Sequence, residues 1–234
     1  MDGLAFALSQ LKIGYESLKV LSTSALIGDA IERLSAHCEI DQWNKVEPIP
    51  RVELQARLAG CDGLVCLLTN RIDAQLIDSA PGLAFVSSMS VGVDHIDVAA
   101  LTERGIPLGH TPGVLVDTTA DLNMALLLAA ARRIPEADQY VRQGRWEAER
   151  PWHPEMFVGK DLAGARLGII GLGEIGQAVA RRAAAFGMAV QAWTRSGRQV
   201  NGIGSVSLSQ LLATSDFVSV NVALTSDTRN LLDA

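Results

Sequence analysis

The sequence predicts an α/β protein built in two successive parts. Short apolar and β-branched runs alternate with segments of helical periodicity from Leu18 to Arg104. A glycine motif, Gly171 to Gly176, lies between a strand-like run and a helical segment, and further strand and helix candidates follow it. Because strands separated by helical crossovers pair in parallel, both parts are expected to contain a parallel sheet.

The first part holds four strand candidates, each followed by a helical segment. The strands are Leu18–Leu21, Cys38–Asp41, Gly63–Leu68 and Leu83–Ser88, and the helices are Ile27–Leu34, Arg51–Leu58, Ala74–Ser79 and Ile96–Arg104. This order is typical of a small flavodoxin-like domain, to which we assign residues 1–105.

The second part, residues 106–234, opens on a long helix. The residues Thr118-Thr-Ala-Asp121 resemble a capping box with Asp in place of Glu, which predicts a helix over Thr119–Ile134. That helix is apolar nearly all round, so we expect it to be buried between layers or at a subunit interface. A more polar helix to about Gln143 and a linker over Glu147–Gly164 follow.

The rest of the second part alternates strands and helices again. A short strand, Gly105–Gly109, stands at the boundary; the later strands are Arg166–Ile170, Met188–Thr194, Gly204–Val206 and Phe217–Val222, and the helices are Glu174–Phe186 and Ser209–Ala213. The pattern predicts an incomplete Rossmann domain, with a doubly wound parallel sheet.

Composition narrows the class of protein. Of 234 residues, 48% are hydrophobic and 20% charged, which suffices for a buried core. The 20 basic and 26 acidic residues give a net charge of −6, which argues against a generally basic nucleic-acid-binding protein. The longest apolar run, Met124–Ala131, is too short to span a bilayer. We therefore expect neither nucleic acid nor a membrane as a partner.

The three cysteines, Cys38, Cys61 and Cys66, show no disulfide-framework spacing. Cys66 lies in an apolar run and is expected to be a buried small hydrophobe rather than a reactive thiol. We place the protein in the reducing cytoplasm and expect no metal site. No role is assigned to residues 1–17.

The motif that carries chemistry is Gly171-Leu-Gly-Glu-Ile-Gly176. It directly follows a strand and directly opens a helix, which is the context of a dinucleotide-binding turn rather than of an ordinary glycine-rich loop. Amide groups of the first helical turn and the helix dipole would face the phosphates. A plain strand–turn–helix connection is the alternative. The residues assigned to the dinucleotide are Gly171, Leu172, Gly173, Glu174, Ile175 and Gly176.

The next strand end indicates which dinucleotide is bound. An acidic residue about 20 positions beyond the glycines would bind the ribose 2′-hydroxyl of NAD. Here the strand is followed by Thr194-Arg-Ser-Gly-Arg198, with no Asp or Glu. Arg195 and Arg198 can neutralise a 2′-phosphate, and Thr194 and Ser196 can donate hydrogen bonds to it. We therefore expect NADP(H) to be favoured over NAD(H), with a solvated basic loop as the alternative.

Glu174 stands in the first turn of the predicted helix. A carboxylate there stabilises the empty helix end, but it repels a pyrophosphate unless it points away. We expect Glu174→Arg to tighten coenzyme binding.

Four stretches carry a family resemblance. They are Ser88-Met-Ser-Val-Gly-Val-Asp-His95, Thr111-Pro-Gly-Val-Leu-Val-Asp-Thr-Thr-Ala-Asp-Leu122, Gly168-Ile-Ile-Gly-Leu-Gly-Glu-Ile-Gly-Gln177 and Val222-Ala-Leu-Thr225. Together they resemble the D-isomer-specific 2-hydroxyacid dehydrogenase family, closest to its glyoxylate/hydroxypyruvate reductase branch. The resemblance runs from about Leu18 to the C-terminus. It implies a split substrate domain, a central coenzyme domain, and NAD(P)H-dependent reduction of glyoxylate or hydroxypyruvate to the D-2-hydroxy acid.

The resemblance also implies roles for particular residues. Val91 and Gly92 would offer backbone N–H groups to the substrate carboxylate, and Thr118 would lie near the coenzyme. The helix Thr119–Ile134 would form a homodimer contact, and Trp146 would either reach the neighbouring subunit or simply pack. Three residues would line the nicotinamide-ribose side: Ala223, Leu224 and Thr225.

The catalytic trio that the resemblance implies is an Arg, a Glu and a His, all beyond the strand Phe217–Val222. No residue of this sequence matches them, so no catalytic residue is assigned within the chain. His95 is interpreted as a structural residue at a helix start. The four histidines that stand in other motifs are His37, His95, His110 and His153.

Two further hypotheses therefore remain open. The chain is either a non-catalytic NADP(H)-binding module or shortened fragment that works through a partner, or a fragment too unstable to unfold cooperatively. Within the family, a phosphoglycerate or formate dehydrogenase relative is the alternative, and Arg195 counts against it.

Overall fold

The computed structural model describes residues 18–147, 152–197, 199–200 and 202–232. The chain divides into two compact units, and the boundary along the sequence lies between Pro112 and Gly113. Arg198 and residues 1–17 lie outside the described residues, so their sequence interpretations stay predictions.

The first unit is an α/β layer structure around one parallel sheet. Its described strands are β1 (Leu18–Ser22), β2 (Cys38–Gln42), β3 (Gly63–Cys66), β4 (Phe85–Ser88) and β5 (Leu108–Gly109). Its described helices are α1 (Ala30–Ser35), α2 (Arg51–Leu58), α3 (Ala74–Asp78) and α4 (Val98–Glu103). The strand order β2-β1-β3-β4-β5, with parallel pairing throughout, is the flavodoxin-like order. The predicted α/β class is thus confirmed for this unit.

The core of the first unit lies between the central strands and their helices. Leu21 and Leu64 on the strands and Leu58 and Leu76 on the helices have no solvent-accessible surface. Cys66 is equally buried, and burial raises the pKa of its thiol to about 11. Because thiolate is the reactive form, Cys66 is a packing residue at neutral pH, as its apolar run indicates.

Strand β5 explains where the first unit ends. Leu108 pairs with Val86 and Gly109 with Ser87, so this strand extends the first sheet. The predicted boundary lies after residue 105, which assigns Leu108 and Gly109 to the second part. A two-residue strand carries too little periodicity to show which sheet it joins.

The second unit contains a second parallel sheet. Its described elements are α5 (Val116–Ala131), α6 (Ile134–Arg142), β6 (Arg166–Ile170), α7 (Glu174–Ala185), β7 (Ala189–Trp193), α8 (Leu208–Thr214) and β8 (Phe217–Val220). In the strand order β7-β6-β8, all strands are parallel, and the chain places β7 on one side of β6 and β8 on the other. This change of side is the doubly wound pattern. The predicted strand Gly204–Val206 is reduced to a single bridge between Ser205 and Ala192.

Helix α5 differs from its prediction at both ends. It begins at Val116, not Thr119, and Thr118 therefore lies within its first turn instead of capping it. The residue before the helix, Leu115, caps it without a side-chain hydrogen bond. At the other end, Arg133 adopts a left-handed conformation with φ 53° and separates α5 from α6.

The apolar surface of α5 is only partly covered within its own unit. One face, which includes Met124 and Leu127, is buried in the core with β6 and α7. On another face Leu122 and Leu126 are 59% and 63% exposed. Helix α5 is therefore not buried on all sides by the described part of its unit.

Strand β8 forms one edge of the described sheet. It pairs with β6, and no other strand among the described residues pairs with it. Val218 and Val220 are 40% and 51% exposed there, as expected for a strand with one uncovered side. Within the described residues, none of the helices combines the length and apolarity that crossing a membrane requires.

Candidate functional site

The glycine turn after β6 is shaped by close backbone approaches. Gly171 has φ 95°, and a Cβ atom on it would lie 2.6 Å from the carbonyl oxygen of Asn221. A Cβ atom on Gly176 would lie 2.2 Å from the carbonyl oxygen of Gly171. Both positions thus require glycine, the first for its backbone conformation and the second for helix packing against the turn.

Gly173 is required for a different reason. A Cβ atom on Gly173 would meet no atom within 4 Å, so the space beside this residue is open. Gly173 is also the N-cap of α7, and its carbonyl accepts the first helical hydrogen bond, from the Gln177 amide. The amides of the first turn have no intrahelical acceptor and point out of the helix end. Open space and outward amides at one helix end fit a phosphate group.

The residues between the glycines divide into buried and exposed ones. Leu172 is buried, and Ile175 packs against the core of the second unit. Glu174 is exposed and helps line an open cavity of about 300 Å³. The cavity wall also contains Arg181, which lies seven residues, or about two turns, after Glu174 on the same helix. Its positive charge offsets part of the negative potential of Glu174. The other lining residues are Gly113, Val116 and Gln177.

The loop after β7 carries one exposed cation within the described residues. Arg195 Nη1 lies 3.0 Å from Asp227 Oδ2, and both side chains are exposed. Thr194 and Ser196 flank Arg195 in the turn that Gly197 closes with a hydrogen bond to the Thr194 carbonyl. The structure thus brings together three of the four residues predicted for the 2′-phosphate, and it adds an unexpected carboxylate.

The loop after β8 is held by one hydroxyl group. Thr228 Oγ1 donates to the Ala223 carbonyl at 2.5 Å and accepts from the Thr225 amide at 2.8 Å. Ala223, Leu224 and Thr225 are all exposed on the resulting turn. Thr228 therefore fixes the shape of the segment that the resemblance assigns to the nicotinamide ribose.

In the first unit, the turn after β4 exposes Val91 and Gly92. Beneath it, Ser90 Oγ donates to the Gly92 carbonyl at 2.7 Å, and Ser88 Oγ lies 3.1 Å from His95 Nε2. Burial lowers the pKa of His95, against a smaller opposing effect of Asp94. His95 thus supports the turn from below as a neutral side chain, which agrees with its interpretation as a structural residue.

His110 holds the same turn from the other side. Its Nδ1 atom lies 3.0 Å from the Val91 carbonyl oxygen, and the Thr111 amide donates to the Ser90 carbonyl at 2.9 Å. With the carbonyls of Val91 and Gly92 both occupied, the N–H groups of this turn are the polar groups left to bind an anion. The turn therefore presents its N–H groups in a conformation fixed by contacts to both carbonyls.

Two predicted residues lie apart from these contacts. Thr118 is exposed on the first turn of α5, a helix that packs against α7. Its neighbours Asp117 and Asp121 both bind Arg182 of α7. Trp146 is 56% exposed, and both interpretations of it stay predictions.

Comparisons with known proteins identify the family. Residues 124–234 match the sequence profile described as D-isomer specific 2-hydroxyacid dehydrogenase, NAD binding domain. A glyoxylate reductase from Korarchaeum cryptofilum is 44% identical over 218 residues, which cover 92% of this chain and 65% of that enzyme. The crystal structure of the TT0316 protein from Thermus thermophilus has a TM-score of 0.85 and 45% identity, over 92% of this chain and 68% of that one. The chain belongs to the D-isomer-specific 2-hydroxyacid dehydrogenase family.

A third relative bears on the coenzyme. The NADPH-dependent glyoxylate/hydroxypyruvate reductase from Sinorhizobium meliloti, solved in complex with NADP and malonate, has a TM-score of 0.74 and 30% identity. The match covers 91% of this chain and 65% of that one. The second unit of this family member is a nicotinamide-dinucleotide-binding domain. The chain spans 65% of the length of the K. cryptofilum enzyme.

Sequence reasoning missed three supporting residues of this family member. Asp227 pairs with Arg195, Thr228 shapes the loop after β8, and His110 holds the Val91 turn. Asp227 and His110 act through contacts between loops, which no local pattern in the sequence encodes. Only Thr228 had a local signal, since a threonine three residues after Thr225 can close a turn by its hydroxyl.

Proposed function

We propose that the protein reduces a small 2-keto acid of the glyoxylate or hydroxypyruvate kind to the D-2-hydroxy acid, with NADPH as reductant. The observation that carries this proposal is the open space at Gly173 beside the outward amides of α7, within a family member whose relatives are named glyoxylate reductase. In this proposal the first unit is the substrate domain and the second unit the coenzyme domain.

The residues of the second unit fit a dinucleotide. The amides of Glu174, Ile175 and Gly176 would hold the pyrophosphate, because a helix N-terminus attracts anions and Gly173 leaves the approach open. When bound, the reduced nicotinamide supplies a hydride to the substrate carbonyl carbon. Leu172 would support the turn from within the core, and the Ala223–Thr225 turn and Thr118 would contact the nicotinamide-ribose side. Together these residues orient the coenzyme and keep water from it.

The preference for NADP(H) over NAD(H) belongs to the same proposal. It is supported by Arg195 at the end of β7, where an acidic residue would otherwise accept the ribose 2′-hydroxyl. Arg195 and Arg198 would neutralise the 2′-phosphate, and Thr194 and Ser196 would donate to it. The S. meliloti relative, described as NADPH-dependent, is consistent with this assignment.

The N–H groups of Val91 and Gly92 would bind the substrate carboxylate. Two nearby backbone N–H groups in a fixed turn form a small anion site, and here the turn is held through both neighbouring carbonyls. Binding through the carboxylate uses a group that both acids share and does not depend on the substituent of the carbonyl carbon, which is hydrogen in glyoxylate and hydroxymethyl in hydroxypyruvate. This feature suits both glyoxylate and hydroxypyruvate.

A homodimer through α5 is the assembly we propose. Leu122 and Leu126 present exposed apolar area on one helix, and an uncovered apolar stripe of this kind is typical of subunit contacts. Light scattering tests it: Leu126→Glu should give a monomer. Val52→Glu, at an even more exposed aliphatic residue of the first unit, should leave the dimer intact. A monomer in the unaltered protein contradicts the assembly.

A reducing compartment, the cytoplasm, is the proposed location. Its support is that Cys38, Cys61 and Cys66 are all free thiols in the fold, two of them buried. Microscopy of a fluorescently tagged chain in its own cell checks the location, and an exported protein would contradict it.

The function is tested by calorimetry followed by a turnover assay. The chain should bind NADPH more tightly than NADH, and an assay of NADPH oxidation with glyoxylate then distinguishes a reductase from a coenzyme-binding module. A coenzyme-binding module is the second candidate, favoured by the open space at Gly173 beside the outward amides of α7. Tight NADPH binding without turnover would support this second candidate. Failure of both coenzymes to bind would refute the two together.

A further inference from the structure

Arg195 and Asp227 join two loops at the carboxyl edge of the second sheet. Their closest charged atoms, Nη1 and Oδ2, are 3.0 Å apart. Arg195 follows β7, and Asp227 lies in the turn after β8. Since β6 lies between these two strands, the ion pair connects the loops on either side of the Gly171 turn.

The position of this pair matters because of where ligands bind in such sheets. In open parallel sheets, ligands occupy the crevice outside the carboxyl ends of the strands, at the point where strand order reverses. In this sheet the reversal occurs at β6, with β7 on one side and β8 on the other. The Arg195–Asp227 contact therefore crosses that crevice and has to rearrange when a nucleotide enters it.

The charges on the pair predict how it responds to different nucleotides. Arg195 and Asp227 are 74% and 64% exposed at their side chains, and exposed ion pairs are weak enough to open readily. A phosphate monoester carries about −1.5 to −2 charges, more than one carboxylate, and pairs well with a guanidinium group. A 2′-phosphate can thus take Arg195 from Asp227, whereas a 2′-hydroxyl cannot.

We infer that Asp227 is a specificity-determining residue, which holds Arg195 until a 2′-phosphate displaces it. The inference rests on the proposed function, because it requires the nucleotide to lie at this edge of the sheet. With the 2′-phosphate present, Arg195 exchanges one anion for another, and the released carboxylate repels the phosphate. Asp227 therefore weakens binding of the phosphorylated nucleotide selectively and keeps the preference for it moderate.

Two nucleotides that differ only in the 2′-phosphate test this inference. Adenosine 2′,5′-bisphosphate and adenosine 5′-monophosphate are titrated by calorimetry into the unaltered chain and into Asp227→Asn. We expect Asp227→Asn to bind the bisphosphate about threefold to tenfold more tightly, from the lost competition and repulsion. Its affinity for the monophosphate should change by less than about twofold.

A matched control variant distinguishes the effect of Asp227 on nucleotide affinity from an effect of the protein's net charge. Asp161 forms an exposed ion pair with Arg132 in the same unit, also at 3.0 Å. Asp161→Asn removes the same charge away from the β6 crevice, and it should leave both affinities unchanged within error. An equal gain from Asp161→Asn would mean that Asp227 acts only through the overall charge, which overturns the inference.

A double variant tests whether Asp227 acts through Arg195. In an Arg195→Gln background, the gain from Asp227→Asn should fall below about twofold, because Asp227 then has no Arg195 guanidinium to hold. An undiminished gain, or equal gains for both nucleotides, overturns the inference while leaving the nucleotide site in place. If neither nucleotide binds the unaltered chain, the coenzyme site itself is refuted, and the inference is refuted with it.

Discussion

The hydroxyl oxygens of Ser88 and Ser90 lie 2.6 Å apart beneath the Val91 turn. Because Ser90 donates its proton to the Gly92 carbonyl, the proton between the two serines must come from Ser88. Ser88 then accepts from His95, so the Nε2 atom of that imidazole carries its proton. A single chain of donors thus runs from His95 to the Gly92 carbonyl and fixes the exposed turn.

Ser90→Ala should break this chain at its centre. Ser90 is 8% exposed, and its loss leaves the Ser88 proton and the Gly92 carbonyl without their partner. We expect the free energy of unfolding to fall by about 1–3 kcal/mol in urea denaturation. Ser79→Ala removes a more exposed hydroxyl that binds the Leu76 carbonyl at the end of α3, and it should cost less than about 1 kcal/mol. Equal losses from both variants would mean that the buried chain of hydrogen bonds contributes no more stability than one more exposed hydrogen bond.

The stability of the protein should depend on pH through His95. Burial holds the pKa of folded His95 below its ordinary value of 6.5, so the unfolded chain takes up this proton first as the pH falls. The free energy of unfolding should therefore decrease as the pH drops below 6.5, with a slope under the roughly 1.4 kcal/mol per pH unit that one proton gives. Urea denaturation from pH 7.5 to about 5.5 measures it.

Two variants distinguish the titration of His95 from its hydrogen bond. His95→Gln keeps a donor for Ser88 but does not titrate, so its stability should be flatter than that of the parent across this range. His95→Leu removes the donor as well and should be destabilised at every pH. If His95→Gln and the parent protein lose stability in parallel, another group is responsible.

Two glycines of the turn should affect different properties: Gly176 the stability of the fold, and Gly173 the affinity for the coenzyme. In Gly176→Ala the new methyl group meets the Gly171 carbonyl at 2.2 Å, and the overlap outweighs the gain of about 1 kcal/mol in helix propensity. We expect a net loss of about 1–3 kcal/mol in the free energy of unfolding. Gly173→Ala meets no atom within 4 Å and should cost less than about 1 kcal/mol, but its methyl group fills the approach to the amides. Calorimetry should show NADPH affinity reduced at least tenfold in Gly173→Ala, and unchanged affinity would contradict the phosphate site.

Replacing Glu174 should strengthen coenzyme binding. Glu174 is exposed in the first turn of α7, where its charge stabilises the empty helix end but opposes a phosphate. Titration with NADPH should show about tenfold tighter binding for Glu174→Arg and about threefold for the neutral Glu174→Gln. Both variants should lose a few tenths of a kcal/mol to about 1 kcal/mol in stability. Unchanged or weaker affinity in Glu174→Arg would show that the carboxylate points away from the phosphates.

The boundaries on either side of the glycine motif were predicted correctly. Strand Arg166–Ile170 was predicted to the residue, because an apolar run ends abruptly at Gly171. The start of α7 at Glu174 was equally well predicted, because the helix begins where the last tight approach of the turn is complete. Local chain chemistry determines both boundaries, so the sequence alone is sufficient there.

The start of α5 was predicted wrongly for a long-range reason. The capping-box pattern predicts a capping role for Asp121, whereas Asp121 binds Arg182, 61 residues away. Asp117 binds the same guanidinium group, and the helix is free to begin earlier, after the Gly113 turn. The pairing of Arg195 with Asp227, 32 residues apart, could not be predicted for the same reason. Side-chain partners that depend on the sheet order are not encoded in any local pattern.

The central place of β6 in its sheet has a consequence for measurement. Its backbone is hydrogen-bonded to β7 on one side and to β8 on the other, so the Gly171–Gly176 turn is attached to a strand with two neighbours. Such a strand is among the last to open in native-state fluctuations, and its amides should exchange with deuterium only when the unit unfolds as a whole. The nucleotide site then exists only in molecules whose second unit is folded. The binding stoichiometry of a titration would therefore give the fraction of molecules in a preparation whose second unit is correctly folded.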